Sequence, residues 1–128
     1  MFSAEKGTVV LNRGSKIIPD TTTRNDGDAY DISKGIYTVE EDDEYDIYLY
    51  FTTSVKDTPL NLVIDGKTQP KGIWVTAHSS PDPDRKGAFT HTLLSSTLEL
   101  KAGQRWWLTN KAKKTKYFDM VWFFRKYE

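Results

Sequence analysis

Apolar residues recur along this chain in short alternating runs, separated by turn residues at spacings near ten, with no helical period anywhere. Thr8 to Leu11 is a first β-prone run, and Pro19 to Asp28 reads as loop. Ile36-Tyr37-Thr38-Val39 is the next strand, ended by the four adjacent carboxylates Glu40 to Asp43, which repel one another into a solvated turn. Asp46 to Thr53 predicts a long strand with Ile47, Leu49 and Phe51 on one face and Tyr48 and Tyr50 on the other. Two apolar faces suggest burial between a second sheet and something else, such as another subunit. Lys56 to Pro59 turns the chain into Leu60 to Ile64, and Asp65-Gly66 is a hairpin signal because both residues tolerate positive φ.

Ile73-Trp74-Val75 predicts another strand, and His78 to Gly87 is the longest stretch without β character, read as a surface loop. Thr97 to Lys101 alternates with Leu98 and Leu100 inward, and Ala102-Gly103-Gln104 turns into Arg105-Trp106-Trp107-Leu108. Lys111 to Lys116 is a basic loop before a last hydrophobic strand, Met120 to Phe124. The pattern is all-β, a sandwich or barrel. With 128 residues there is room for one domain, 1–128, and one core. Four Trp, seven Tyr and six Phe place much of the burial in large flat side chains, which favour sheets.

Charge and chemistry narrow the function classes. Lys plus Arg equals Asp plus Glu at eighteen each, so no net field favours nucleic acid or an anionic membrane. Cysteine is absent, which removes disulfides, thiol catalysis and thiolate metal sites. No apolar run reaches bilayer-spanning length, so no membrane insertion is expected. The first residues show no signal-peptide core, so Met1 stands either after a removed leader or at a true start.

The order of motifs resembles one family. Phe2-Ser3-Ala4, then Asn25-x-Gly27-x-x-Tyr30-Asp31, Gly35-x-Tyr37 and Tyr45-x-Ile47 are followed by Leu98-x-Leu100-x-x-Gly103-Gln104-x-Trp106-Trp107-Leu108 and Phe118-x-Met120-Val121-Trp122-Phe123. This series resembles the globular head domain of complement component 1q, whose fold is shared with the tumour necrosis factors. Asp43, Gln104 and Met120 stand where the family has Gly, Asp and Gly, and the bulk of Met120 is expected to alter packing around the last strand. No Gly-X-Y run precedes the domain, so the resemblance is to a stalkless head.

The resemblance implies an all-β jelly-roll β-sandwich, homotrimeric, with Tyr48, Tyr50, Trp107 and Trp122 expected at the trimer interface. It implies a non-enzymatic, lectin-like recognition protein, soluble and secreted, binding carbohydrate or microbial surface ligands in innate immunity. The alternatives are a cytokine-like or synaptic-organiser-like ligand for a protein receptor, and a structural component of the extracellular matrix. Of the adjacent Trp106 and Trp107, only one can face the core, because neighbours in a strand point to opposite sides.

The ligand-binding residues expected are His78, Asp82, Asp84, Arg85 and His91, in and beside the long loop. Acceptors and donors lie there within one short arc, which suits a polyhydroxyl ligand, and His91 near Asp82 or Asp84 is a candidate acid–base pair, with a solvated or packed loop histidine as the alternative. No cofactor is required. Calcium is a candidate, since some members of the resembled family hold it near the apex with two aspartates; Asp82 or Asp84 supplies the first, but Thr90 falls at the second and cannot carry the charge. The basic loop has two readings, an anion site for a ligand such as heparin or a sialylated glycan, and a solvated charged loop on a neutral protein.

Overall fold

The structure, a computed structural model, describes residues 1–54, 59–82, 84 and 89–126. The turn expected at Lys56-Asp57-Thr58 lies outside them, as do Pro83, Arg85, Lys86 and Gly87. Among the described residues twelve strands follow in chain order: β1 (Phe2–Lys6), β2 (Val9–Leu11), β3 (Thr21–Asn25), β4 (Tyr30–Asp31), β5 (Ile36–Thr38) and β6 (Asp43–Thr53), then β7 (Leu60–Ile64), β8 (Lys67–Thr68), β9 (Thr76–Pro81), β10 (Thr90–Leu100), β11 (Arg105–Asn110) and β12 (Thr115–Lys126). A seven-stranded sheet has the order β3-β1-β12-β6-β10-β9, with β2 also paired to β12. A five-stranded sheet has the order β4-β5-β11-β7-β8. Every pairing is antiparallel, as in a jelly-roll sandwich.

The core fills the space between the sheets with the residues the alternation selects. Ile47, Leu49 and Phe51 are fully buried, while Tyr48 and Tyr50 point away. At one end of the core Phe124 packs against Tyr37 at 4.6 Å, Tyr45 at 4.8 Å and Trp106 at 5.0 Å between ring centroids, and Phe2 stacks on Tyr30 at 4.3 Å. At the other end the edge of Tyr117 meets Phe51 at 5.4 Å. Asp65 (φ 50°) and Gly66 (φ 80°) make the expected hairpin between β7 and β8. Strand β12 carries a bulge at Asp119, φ 50°, where the register passes from Phe118↔Thr52 to Val121↔Tyr50. The extra residue lets both Tyr117 and Met120 face inward, and Met120 is fully buried there.

Several sequence expectations are corrected. Trp122 is 1% exposed inside the core of one chain, so its side chain is not part of a surface that a second subunit meets. Ile73-Trp74-Val75 is not a strand. Lys71–Ile73 forms a single 3-10 turn after Pro70; the Trp74 indole N–H donates to the Leu60 carbonyl at 3.2 Å, and Val75 is 76% exposed. The loop expected from His78 is in part the edge strand β9, and the stretch Pro19 to Asp28 contains the edge strand β3. Strand β10 begins at Thr90 rather than Thr97, because Thr90, Thr92 and Ser96 occupy inward positions that a search for apolar alternation passes over. Thr115 and Lys116, read as basic loop, open β12.

Candidate recognition surface

The outer face of the seven-stranded sheet is assembled by register. Strand β10 pairs with β6 along its whole length and with β9 on its other side, while β12 flanks β6. Leu93 therefore lies between His78 and Tyr50, and Tyr50 lies beside Val121. In the next row Ser95, Tyr48 and Phe123 are neighbours. Tyr50 is 49% exposed and Phe123 40%, and Leu93 and Val121 are half-buried. The Arg125 guanidinium sits 5.9 Å from the Tyr48 ring centre. The result is a patch of aromatic and aliphatic side chains that nothing among the described residues covers.

At one end of this face the histidine and aspartate converge. Asp82 has a side chain only 1% exposed; its Oδ1 accepts the Asp84 backbone N–H at 3.0 Å, a turn closed two residues on. The Asp82 N–H donates to the Phe89 carbonyl at 3.0 Å, tying the two ends of the segment together. His91 Nε2 lies 3.6 Å from Asp82 Oδ1, and its Nδ1 is 2.8 Å from Thr52 Oγ1. The imidazole stacks on Tyr50 with ring centroids 6.4 Å apart and planes at 11°. Thr52 was not expected in this set; its register partner is His91, a relation visible only once the strands are paired.

Carboxylate, imidazole and hydroxyl in series have the order of a nucleophilic relay. Thr52 is only 3% exposed, so no substrate carbonyl reaches its hydroxyl. What the arrangement can do is hold donors and acceptors at fixed positions beside an aromatic ring. His78 is exposed on β9 along the same face, and Asp84 is exposed next to Asp82. Arg85 lies outside the described residues.

Calcium fits this set poorly. The ion takes six to eight oxygens, whereas Asp82 Oδ1 is occupied by an N–H and faces a histidine. Thr90 is 8% exposed and turns its hydroxyl to the Thr53 carbonyl. Among the described residues no three His, Asp or Glu side chains converge as metal ligands.

Trp107 lies elsewhere. It is half-buried on the outer face of the five-stranded sheet, where the Lys16 ammonium sits 5.2 Å from its ring centre. Trp107 and the pair Tyr48 and Tyr50 therefore stand on opposite outer faces of the sandwich. A groove of about 820 Å³ is also not at the expected site. It lies at the opposite end of the sandwich, among Arg24, Glu40, Tyr45, Tyr48 and Arg125, and its charges are largely paired internally, Asp26 by Arg24 and Glu41 by Lys126.

The architecture and the exposed face define a class, an all-β jelly-roll head domain. The globular domain of a zebrafish complement 1qA protein superposes on it with a TM-score of 0.65, at 15% identity, over 99% of this chain and 96% of that one. The chain thus has the fold of a complement 1q globular head. No protein-family model matches the sequence, and no curated protein matches it either. No helix among the described residues is long and apolar enough to cross a membrane.

Proposed function

We propose that this chain is a non-enzymatic recognition head that works outside the cell as a homotrimer and binds carbohydrate or another microbial surface ligand. The observation that carries the reading is the coincidence, on one face, of uncovered rings with a preset polar cluster. Tyr50 and Phe123 are exposed and diagonal to one another across β6 and β12, with Val121 and Tyr48 as their shared neighbours and Leu93 on the far side of Tyr50. Contiguous apolar patches of this kind mark interaction surfaces, and a cyclic trimer covers them around one axis. Three copies of the Asp82–His91 cluster then gather near that axis, and linked sites gain avidity without any new contact. The buried Asp82 holds the Asp84 N–H, so the turn that carries the exposed Asp84 is preset and less freedom is lost when a ligand hydroxyl arrives there.

A glycan array tests this directly. The parent trimer is compared with Asp82→Asn, Asp84→Ala, Arg85→Ala and with a variant in which Lys111, Lys113, Lys114 and Lys116 are changed to Gln. Binding to neutral glycans is lost in the first and kept in the second. Repeating the array with a chelator reads whether calcium takes part in that binding. Equal neutral-glycan binding by the parent and the first variant rejects this segment as the site, and silence across the array favours a protein receptor.

A further inference from the structure

The chain is neutral as a whole but not along its length. At the end where β11 passes into β12, five cations are exposed: Arg13 in the turn after β2, Lys111, Lys113 and Lys114 in the β11–β12 turn, and Lys116 at the start of β12. Among the described residues none of the five meets a carboxylate at ion-pair distance; Lys116 instead lies 5.1 Å from the centre of the Phe118 ring. Glu40, Glu41, Asp42, Asp43, Glu44 and Glu99 gather at the far end, where β6 starts and β10 finishes. Strand β6 spans the distance in 11 residues, which at about 3.3 Å each is roughly 35 Å. That is several times the screening length of about 8 Å at physiological salt. The acidic end therefore does not cancel the field at the basic one.

The two basic turns are held by one buried side chain. Asn110 is fully buried, and its Nδ2 lies 3.0 Å from the Leu11 carbonyl, 3.3 Å from that of Asn12, 3.1 Å from that of Ala112 and 3.5 Å from that of Lys113. Its Oδ1 accepts the Tyr117 hydroxyl at 2.7 Å. The Gly14 N–H donates to the Asn110 carbonyl at 2.7 Å, and the Asn110 N–H to the Ser15 carbonyl at 2.9 Å. Arg13 and the lysines thus stand on backbone fixed from beneath, so little loop order is lost on binding.

We infer that this basic crest binds an anionic polysaccharide, a chain bearing repeated sulfate or carboxylate groups. The cations are spread over two turns and open to solvent, which suits a polymer rather than a small anion in a pocket. Single-stranded nucleic acid needs open aromatic faces on which bases stack. Here the Phe118 ring is half-buried, covered by Lys116 and met by the edge of Phe89 at 5.5 Å. Tyr117 is fully buried. Binding within a bilayer interface needs large apolar side chains to enter it, and the exposed residues of the two turns are Asn12, Arg13, Gly14, Lys111, Lys113 and Lys114. The crest shares no residue with the Asp82–His91 cluster and requires no trimer, although three copies increase avidity.

The test uses immobilised heparin for the sulfated arm and polygalacturonate for the carboxylated arm, with anionic vesicles and single-stranded DNA as competitors. Lys111→Gln, Lys113→Gln, Lys114→Gln is compared with Lys67→Gln, Lys101→Gln, Arg105→Gln, which changes charge equally away from the crest. The parent binds at least one polysaccharide, with affinity falling steeply as salt rises; the crest variant loses about tenfold or more and shows a shallower salt dependence, as fewer counterions are released. The distal variant binds like the parent. Both variants keep neutral-glycan binding, which separates this result from that of the Asp82 site. Equal losses in the two variants, no parent binding to either polysaccharide at physiological salt, or stronger competition by vesicles or DNA than by free polysaccharide overturns the inference.

Discussion

Asn25, Gly27 and Tyr30 show how one short motif folds the start of the chain. The Asn25 side chain donates to the Tyr30 carbonyl at 2.9 Å and accepts the Tyr30 N–H at 3.0 Å, closing the turn between β3 and β4. Gly27 has φ 67°, and the Glu40 carboxylate lies where a Cβ would stand, 2.5 Å away. A side chain there meets a backbone it disfavours, and the exposed Glu40 carboxylate has to swing aside. Asn110 plays the matching part at the other end. Tyr117→Phe leaves the buried Asn110 Oδ1 without that donor, and a loss of about 1–3 kcal/mol is expected in urea unfolding. Trp122 offers a contrast, since its indole N–H is buried without an acceptor. Trp122→Ala is expected to cost about 3–5 kcal/mol through lost packing, whereas Trp122→Phe forfeits no hydrogen bond and costs clearly less. The sequence made the division between Trp106 and Trp107 legible, because alternation is a local rule; Trp106 is 1% exposed and Trp107 half-buried. It could not place Trp122, because a core side chain and a subunit contact look alike in a run of apolar residues.

Among the elements, β3 is the most conditional. It is a polar edge strand, Thr-Thr-Thr-Arg-Asn, paired only to β1. Asp20 and Asp26 flank it. The Gly7 backbone N–H and the Lys6 ammonium hold the Asp20 carboxyl below its usual range, and Arg24 holds Asp26 down at about 2. Both folded-state values lie below that of an unfolded aspartate, so their stabilisation is complete above about pH 4. It is lost as pH falls through the folded values, toward 2 for Asp26. Amide protection in β3, taken relative to the intrinsic exchange rate at each pH, is therefore expected to fall between about pH 4 and pH 2 before protection in β6 does, and less so in high salt, where these exposed pairs are already screened. A uniform fall in both strands contradicts this. The same polarity explains why β3 and β9 escaped the sequence, since an edge strand has no need of apolar alternation. The N-terminal half of β10 escaped because its inward side chains are Thr and Ser.

For the whole molecule, the all-β class and the long central strand were legible in the sequence, since a period of two is set by backbone geometry. The meeting of Asp82, His91 and Thr52 was only half legible: the acid and the imidazole lie near one another in sequence, but Thr52 joins them only by strand pairing. The outer face was legible only as an excess of aromatic residues, and the structure places rings there at Tyr48, Tyr50 and Phe123, with Leu93 and Val121 beside them. The account rests on this face being closed by copies of the same chain. Sedimentation velocity of the parent and of Tyr50→Lys, Phe123→Lys tests it most directly. Neither side chain belongs to the buried core, so the variant keeps its fold. The parent is expected to sediment at three times the 14.7 kDa chain mass at micromolar concentration, and the variant as a folded monomer. A stable parent monomer at that concentration, or a trimer unchanged by the two lysines, contradicts the account.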